Sequence, residues 1–163
     1  MQIKGIIFED FVNYKKPCMT IIMPKCDFKC DRECGSDVCQ NSHLAHQSNI
    51  TINISSVIDR YYIDNNIVEA LVFQGLEPFD SFGDLYSFIY KFTEKSNDDI
   101  VIYTGYNEDE VEDMVKDLIN IIEVNRLIIK YGRFIPNSEH RFDEILGVEL
   151  ASTNQYAKIV YGE

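Results

Sequence analysis

Apolar and amphipathic segments alternate along this chain. Four segments are apolar at their centres, which is typical of strands buried in a sheet. They cover residues 19–23, 68–73, 100–104 and 126–130. Three other segments repeat their apolar residues at helical spacing. They cover residues 53–63, 80–93 and the stretch that begins after Asn107. This alternation predicts βαβ units and a mainly parallel sheet, and hence an α/β fold.

Local signals mark where two of the helices begin. Asn53 is placed to cap the first helix, and Tyr61 falls on the apolar stripe predicted to face the core. Asn107 and Glu110 have the three-residue spacing of a capping box. The third helix is therefore predicted to start at Asn107.

The ends of the chain add two more strands. Residues 3–11 predict an edge strand, and the alternating stretch 156–161 predicts a closing strand. Right-handed crossovers would place the carboxyl ends of the parallel strands at one edge of the sheet, where ligands bind in such folds. Four turns should then meet at that edge, provided that the sheet is parallel. They are residues 26–41, 73–78, 104–106 and 131–134.

Composition and charge narrow the class of protein. The 163 residues are 45% hydrophobic, which is enough for one core, so we expect a single domain over residues 1–163. A formal net charge of -12 argues against binding to nucleic acid or to anionic membranes. No apolar run is long enough for a membrane span, and the first residues lack the pattern of a signal peptide. We therefore expect a cytoplasmic protein.

Four of the five cysteines lie in one short polar segment, residues 26–41. They are Cys26, Cys30, Cys34 and Cys39. A disulfide framework would be out of place in a reducing compartment, so a metal is the better explanation. Structural zinc sites usually contain paired Cys-x-x-Cys knuckles, which this segment lacks. An iron–sulfur cluster fits the longer spacings better.

Further motifs follow the cysteine segment in a defined order. They are Cys39-Gln40-Asn41, Gly75-Leu76-Glu77-Pro78, Thr104-Gly105-Tyr106, Gly132-Arg133-Phe134 and Ser152-Thr153-Asn154-Gln155. Together with Cys26-x-x-x-Cys30, this order resembles the radical S-adenosylmethionine superfamily. The greatest similarity is to the small activating proteins of anaerobic ribonucleotide reductase, which generate a glycyl radical.

The resemblance implies a fold, cofactors and partners. The fold would be a small partial (βα) barrel-like parallel sheet. Three cysteines would hold a [4Fe-4S] cluster whose fourth iron binds S-adenosylmethionine, and reductive cleavage would give a 5'-deoxyadenosyl radical. That radical would take a hydrogen atom from a glycine of a partner similar to anaerobic ribonucleotide reductase. Flavodoxin or ferredoxin would supply the electron.

The resemblance also implies ligands for the cluster. The family pattern is Cys-x-x-x-Cys-x-x-Cys, but no cysteine stands at position 33. Cys39 precedes Gln40-Asn41 as in the family, so Cys26, Cys30 and Cys39 are the favoured ligands. Cys34 is an alternative third ligand, or a fourth ligand that would close the cluster and remove its open iron.

Other positions are implied to bind the organic cofactor. Glu77, between Gly75 and Pro78, corresponds to the family acid near the amino group of S-adenosylmethionine. Thr104 and Tyr106 are candidates for contact with its ribose or adenine. The remaining candidates are Asn41, which completes the Cys-x-Asn motif, and the Asn154-Gln155 pair. Arg133, in contrast, is read as a solvated loop charge.

Two alternatives remain open from the sequence. The chain could use the same cluster and cofactor on another peptide or on a small molecule. It could also be a non-catalytic interaction module, in which zinc or a closed iron–sulfur cluster stabilises the loop and the acidic surface meets a basic partner.

Overall fold

The computed structural model describes residues 1–162, and its elements alternate along the chain as predicted. The strands are β1 (Gln2–Ile3), β2 (Gly5–Asp10), β3 (Cys18–Ile22), β4 (Ile50–Thr51), β5 (Ala70–Gln74), β6 (Asp99–Tyr103), β7 (Leu127–Tyr131), β8 (Arg141–Asp143), β9 (Val148–Leu150) and β10 (Tyr156–Tyr161). The helices are α1 (Lys29–Cys34), α2 (Ser42–Ala45), α3 (Ile54–Ser56), α4 (Phe82–Thr93) and α5 (Glu108–Ile119). A π-helical segment, Val57–Ile63, extends α3, and a 3-10 turn, Pro78–Ser81, precedes α4.

Six strands of the described residues form the central sheet, in the order β10-β7-β6-β5-β3-β2. Neighbouring strands among β3, β5, β6 and β7 are parallel, whereas β2 and β10 pair antiparallel at the two edges. The prediction of a mainly parallel sheet is thus confirmed for the four inner strands. The chain has a mixed α/β fold built on a mixed sheet.

Both faces of the inner strands are covered, which explains their continuous apolar sequences. On one face, Phe73 and Ile102 pack in a core with Phe88 of α4 and Val115 of α5. On the other face, Val72, Val101 and Ile128 pack with Tyr14 and with Leu146 and Leu150 near the β8–β9 hairpin. The hairpin and the short β1–β4 pair were not predicted, because their strands are only two or three residues long.

One helix differs from the sequence prediction in its geometry. The Asn53 side chain accepts a hydrogen bond from the N–H of Ser56, so the cap is present as predicted. The helix then continues as a π-helix, with more residues per turn than an α-helix. As a result Tyr62 enters the core at 3% exposure, while Tyr61 is 45% exposed. The prediction that Tyr61 faces the core is wrong for this reason.

The longest helices, α4 and α5, have 12 residues each. The capping box predicted at the start of α5 is present. The N–H of Asn107 donates to Glu110 Oε2 at 2.9 Å, and the N–H of Glu110 donates to the carbonyl oxygen of Asn107 at 3.1 Å. Within residues 1–162, no helix has both the length and the apolar character needed to cross a membrane.

Candidate metal centre

A cavity of about 480 Å³ opens where the parallel strands end. The cysteine loop, residues 26–41, lines it together with the turns that follow β5, β6 and β7. Its lining includes Cys26, Cys30, Cys39, Glu77, Thr104 and Lys130. The four turns that the sequence predicted to converge therefore surround one cavity, because the strands that deliver them are parallel.

Local hydrogen bonds shape the cysteine loop. Phe28, at φ +55°, leads into α1, and Gly35, at φ +69°, ends this helix in a conformation that favours glycine. The carboxylate of Asp31 accepts hydrogen bonds from the N–H groups of Val38 and Cys39, both at 2.8 Å. These two bonds hold residues 38 and 39 next to Asp31 of α1. Cys39 thereby reaches the cavity.

Backbone N–H groups lie near each of the three cavity thiols. That of Phe28 donates a hydrogen bond to Cys26 Sγ at 3.3 Å, those of Asn41 and Ser42 lie near Cys39, and that of Phe134 lies near Cys30. Burial raises the pKa of all three thiols, to about 12 for Cys26, and these N–H groups oppose the rise. Such donors stabilise the thiolate, which is the form that binds a metal. The loop can therefore offer its thiols to a metal centre as thiolate ligands.

The cavity thiols are too widely spaced to share one metal ion. Zinc binds thiolates at about 2.3 Å, which brings two such ligands within about 4 Å of each other. Among the described residues, the metal-ligating atoms within 4.8 Å of one another belong to Cys26, Asp27 and Asp80, and not to the three cavity thiols. The thiols suit a cluster of several metal atoms better than a single ion.

Cys34 is exposed, at the end of α1, and does not line the larger cavity with the other cysteines of the loop. It lines a smaller cavity of about 180 Å³ with Cys30, Glu33 and Arg133. It is outside the set of described residues that line the larger cavity. The sequence left Cys34 and Cys39 as alternatives, and the structure brings Cys39 to the cavity that Cys26 and Cys30 line.

Glu77 joins the turns after β5 and β6 beside the cavity. Its Oε1 accepts hydrogen bonds from Thr104 Oγ1 at 2.7 Å and from the N–H of Phe79 at 3.1 Å. Its Oε2 accepts one from the N–H of Gly105 at 2.9 Å. Burial raises the pKa of Glu77 to about 7, in opposition to these bonds. A carboxylate has about four acceptor positions, so one is left for a ligand.

Lys130 is a site residue that the sequence analysis missed. It belongs to the buried strand β7, lines the cavity and is 7% exposed. Its ammonium group donates hydrogen bonds to the carbonyl oxygens of Gly132 at 3.0 Å and Thr104 at 3.4 Å. Burial lowers the pKa of Lys130 to about 8. A lysine inside an otherwise apolar strand was the signal that could have identified it.

The charge of Lys130 has no carboxylate partner in an ion pair among the described residues. A buried cation of this kind is costly, because carbonyl oxygens replace water only in part. At the wall of a cavity, the ammonium group is available to an anionic group of a ligand.

Arg133 is buried, contrary to its interpretation as a solvated loop charge. It is 8% exposed, and its Nη2 lies 2.6 Å from Glu110 Oε1. Its Nε lies 2.9 Å from Glu33 Oε2. The prediction was wrong because α1 and α5 both bring a carboxylate to the turn after β7, and the sequence alone did not reveal that proximity.

Only some of the residues that were predicted to bind the cofactor line the cavity. Those that line the cavity are Asn41, Gly75, Glu77 and Thr104. Pro78 and Tyr106 are outside the lining set of the described residues. The hydroxyl of Tyr106 donates to Asp80 at 2.7 Å, and Pro78 begins the 3-10 turn. Their direct contact with a cofactor stays a prediction that this geometry does not support.

Asn154 and Gln155 support the turn after β7. Asn154 Nδ2 donates to the carbonyl oxygen of Arg133 at 2.8 Å, and Gln155 Nε2 donates to that of Gly132 at 3.2 Å. Gln155 also lines the cavity. The pair therefore holds the turn that carries Arg133.

Comparison with known proteins identifies the family. The family model described as a 4Fe-4S single cluster domain matches residues 17–154. This range includes the whole cysteine loop and the turns after β5, β6 and β7 that line the cavity. Searches of curated proteins and of solved structures gave no match. The match is consistent with an iron–sulfur protein of the radical S-adenosylmethionine type. The chain belongs to the 4Fe-4S single cluster domain family.

Proposed function

We propose that this protein is a radical S-adenosylmethionine enzyme that holds a [4Fe-4S] cluster through Cys26, Cys30 and Cys39. One observation carries the proposal: three cysteines from one loop line a single cavity together with Glu77 and Lys130. The thiols supply three ligands, and the two charged groups can bind the ends of an amino acid. The family match supports the cluster independently.

The residues present fit such a cluster. Backbone N–H groups lie near all three thiols, and the three sulfur atoms do not all lie within 4.8 Å of one another, which is too far apart for one ion. The position of Cys34 outside this cavity favours three protein ligands over four. When bound, the cluster would supply the electron that cleaves S-adenosylmethionine to methionine and a 5'-deoxyadenosyl radical.

The cavity also suits the methionyl part of S-adenosylmethionine. The ammonium of Lys130 would bind the carboxylate of the cofactor, and the free acceptor position of Glu77 would receive a hydrogen bond from its amino group. A volume of about 480 Å³ is within the usual range for sites of small molecules. Apolar lining from Val12, Leu150 and Phe134 would exclude water from the adenosyl part.

The order of the motifs supports a finer assignment. The chain would act as an activating protein that generates a glycyl radical on a partner similar to anaerobic ribonucleotide reductase. Flavodoxin or ferredoxin would provide the electron in the cytoplasm. In this assignment the four parallel strands correspond to the partial barrel of the superfamily, and β2 and β10 are additions at its edges.

Anaerobic reconstitution with iron and sulfide tests the proposal. We expect about four irons per chain, an EPR signal of the reduced cluster that changes when S-adenosylmethionine is added, and release of 5'-deoxyadenosine with a strong reductant. Zinc without iron would support the interaction-module alternative. A cluster whose EPR signal is unaffected by S-adenosylmethionine and that gives no cleavage would contradict the enzymatic function.

A further inference from the structure

Cys30 has two buried cations in its neighbourhood. In the larger cavity it shares the lining with Lys130, and in the smaller cavity it shares the lining with Arg133. These cations are 7% and 8% exposed, respectively. Water screens buried charges poorly, so both act on the Cys30 sulfur more strongly than surface charges would.

The other two cavity thiols have an acidic environment instead. Cys26 belongs to a compact group with the carboxylates of Asp27 and Asp80. Near Cys39, the carboxylate of Asp31 accepts hydrogen bonds from the backbone N–H groups of Val38 and Cys39. The two buried cations thus lie on the Cys30 side of the cavity, and the carboxylates of Asp27, Asp31 and Asp80 lie on the side of Cys26 and Cys39.

Neighbouring elements hold Arg133 at a fixed position. Its Nη2 lies 2.6 Å from Glu110 on α5, and its Nε lies 2.9 Å from Glu33 on α1. The Nε–H does not point at Glu33 well enough to form a hydrogen bond, and it is buried. The adjacent residue, Phe134, has its backbone N–H near Cys30. The turn therefore brings a charge and an N–H group close to one sulfur.

We propose that Arg133 is a positioning residue that sets the reduction potential of the cluster through Cys30. This inference rests on the proposed function, because it requires the cluster. A reduced cluster carries one more negative charge than an oxidised one, so a nearby buried cation stabilises the reduced state and raises the potential. Glu33 and Glu110 offset part of this effect while they hold the guanidinium in place.

The charges predict opposite results for two substitutions. Arg133→Gln removes the cation and leaves the two carboxylates, so the potential should become more negative. Glu33→Gln removes a carboxylate and leaves the cation, so the potential should become more positive. The side chain of Glu33 is 54% exposed, so its substitution should preserve the fold and give the smaller shift.

EPR-monitored redox titration of the reconstituted protein without S-adenosylmethionine measures these shifts. The comparison includes wild type, Arg133→Gln, Glu33→Gln and Arg133→Lys, and the last should restore much of the wild-type potential because it keeps the charge. Thermal unfolding of the apo-proteins reports any loss of structure separately. A purely structural role would change the melting temperature without opposite shifts in potential.

The possible results are distinguishable. Opposite shifts in Arg133→Gln and Glu33→Gln support the inference. Unchanged potentials in both variants, with the cluster intact, overturn it and leave the proposed function standing. If Arg133→Gln does not fold, Arg133→Met, which also removes the charge, takes its place: a more negative potential supports the inference and an unchanged potential overturns it. Failure of the wild type to take up a [4Fe-4S] cluster overturns the proposed function itself.

Discussion

The guanidinium of Arg133 lies 2.6 Å from Oε1 of Glu110, and this ion pair joins the turn after β7 to the first turn of α5. The same Oε1 accepts a hydrogen bond from Lys29 of the cysteine loop at 2.5 Å. Oε2 of Glu110 accepts the N–H of Asn107 in the capping box at 2.9 Å. One carboxylate thus fixes three segments next to the proposed cluster.

Substitution of Glu110 should reveal a pH-dependent contribution to stability. The hydrogen bond from Arg133, with further bonds, lowers the pKa of Glu110 to about 2. A carboxyl group with a depressed pKa stabilises the fold above its unfolded pKa of about 4.3, and this contribution is lost as the pH falls towards 2. Glu110→Gln should therefore cost roughly 2 kcal/mol at pH 7, allowing for partial exposure, and progressively less below pH 4.

Urea unfolding of the apo-protein at pH 7, 4 and 2.5 measures this difference. Glu112→Gln on the same helix is a suitable control, because Glu112 forms an exposed ion pair with Lys116 and should change stability by less than about 0.5 kcal/mol. A cost of Glu110→Gln that stays constant from pH 7 to 2.5 would show that the charge of Glu110 is not responsible.

Cys39 and Cys34 should respond differently to replacement by alanine. Cys39 lines the larger cavity with Cys26 and Cys30, whereas Cys34 does not. Cys39→Ala should abolish stable cluster binding and cleavage of S-adenosylmethionine. Cys34→Ala should retain about four irons and near wild-type cleavage. Iron and sulfide analysis with a 5'-deoxyadenosine assay checks both, and retention of cluster and cleavage in Cys39→Ala would refute the ligand assignment.

Lys130→Met should separate stability from binding. Burial lowers the pKa of Lys130 to about 8, so the charged form is a cost to the fold at neutral pH. Replacement by an apolar side chain of similar size should leave apo-protein stability unchanged or raise it by about 1 kcal/mol. Loss of the ammonium should weaken S-adenosylmethionine binding to the reconstituted protein by about tenfold or more.

Titration calorimetry with S-adenosylmethionine measures the affinity of the reconstituted Lys130→Met protein, and thermal unfolding measures the stability of its apo-protein. Lys158→Met provides a control at a surface position, where the ammonium pairs with Glu108 in solvent. It should leave affinity unchanged. A destabilised Lys130→Met protein with wild-type affinity would mean that Lys130 serves the fold and not the ligand.

Two glycines beside the cavity should differ in their tolerance of alanine. Gly75 has φ +94°, and a Cβ there would lie 2.5 Å from Ile22 Cγ2. Gly75→Ala should therefore destabilise the protein by about 2 kcal/mol or more. At Gly105, a Cβ would lie 3.6 Å from Cys30 Sγ, which is ordinary contact, so Gly105→Ala should cost less than about 0.5 kcal/mol. Chemical denaturation of the apo-proteins compares them, and equal costs would contradict the backbone assignment.

The sequence by itself determined the parallel part of the fold and the identity of the main site segments. The apolar segments that became β5, β6 and β7 predicted buried strands, because strands covered on both faces need apolar residues at nearly every position. Parallel pairing then implied that their following turns share one edge, which is where Glu77 and Thr104 lie. The spacing of the cysteines indicated an iron–sulfur cluster for a chemical reason that is independent of the fold.

Only the tertiary structure showed that Cys39, and not Cys34, lines the cavity with Cys26 and Cys30, and that the cations of Lys130 and Arg133 are buried. Asp31 closes the loop by hydrogen bonds to residues seven and eight positions later, and no periodic pattern encodes such contacts. Arg133 is an ordinary polar position in the sequence until α1 and α5 cover it, and the apolar strand around Lys130 does not by itself reveal the cavity beside that lysine. Burial, and with it the effective strength of a charge, is a property of the packed molecule rather than of the residue.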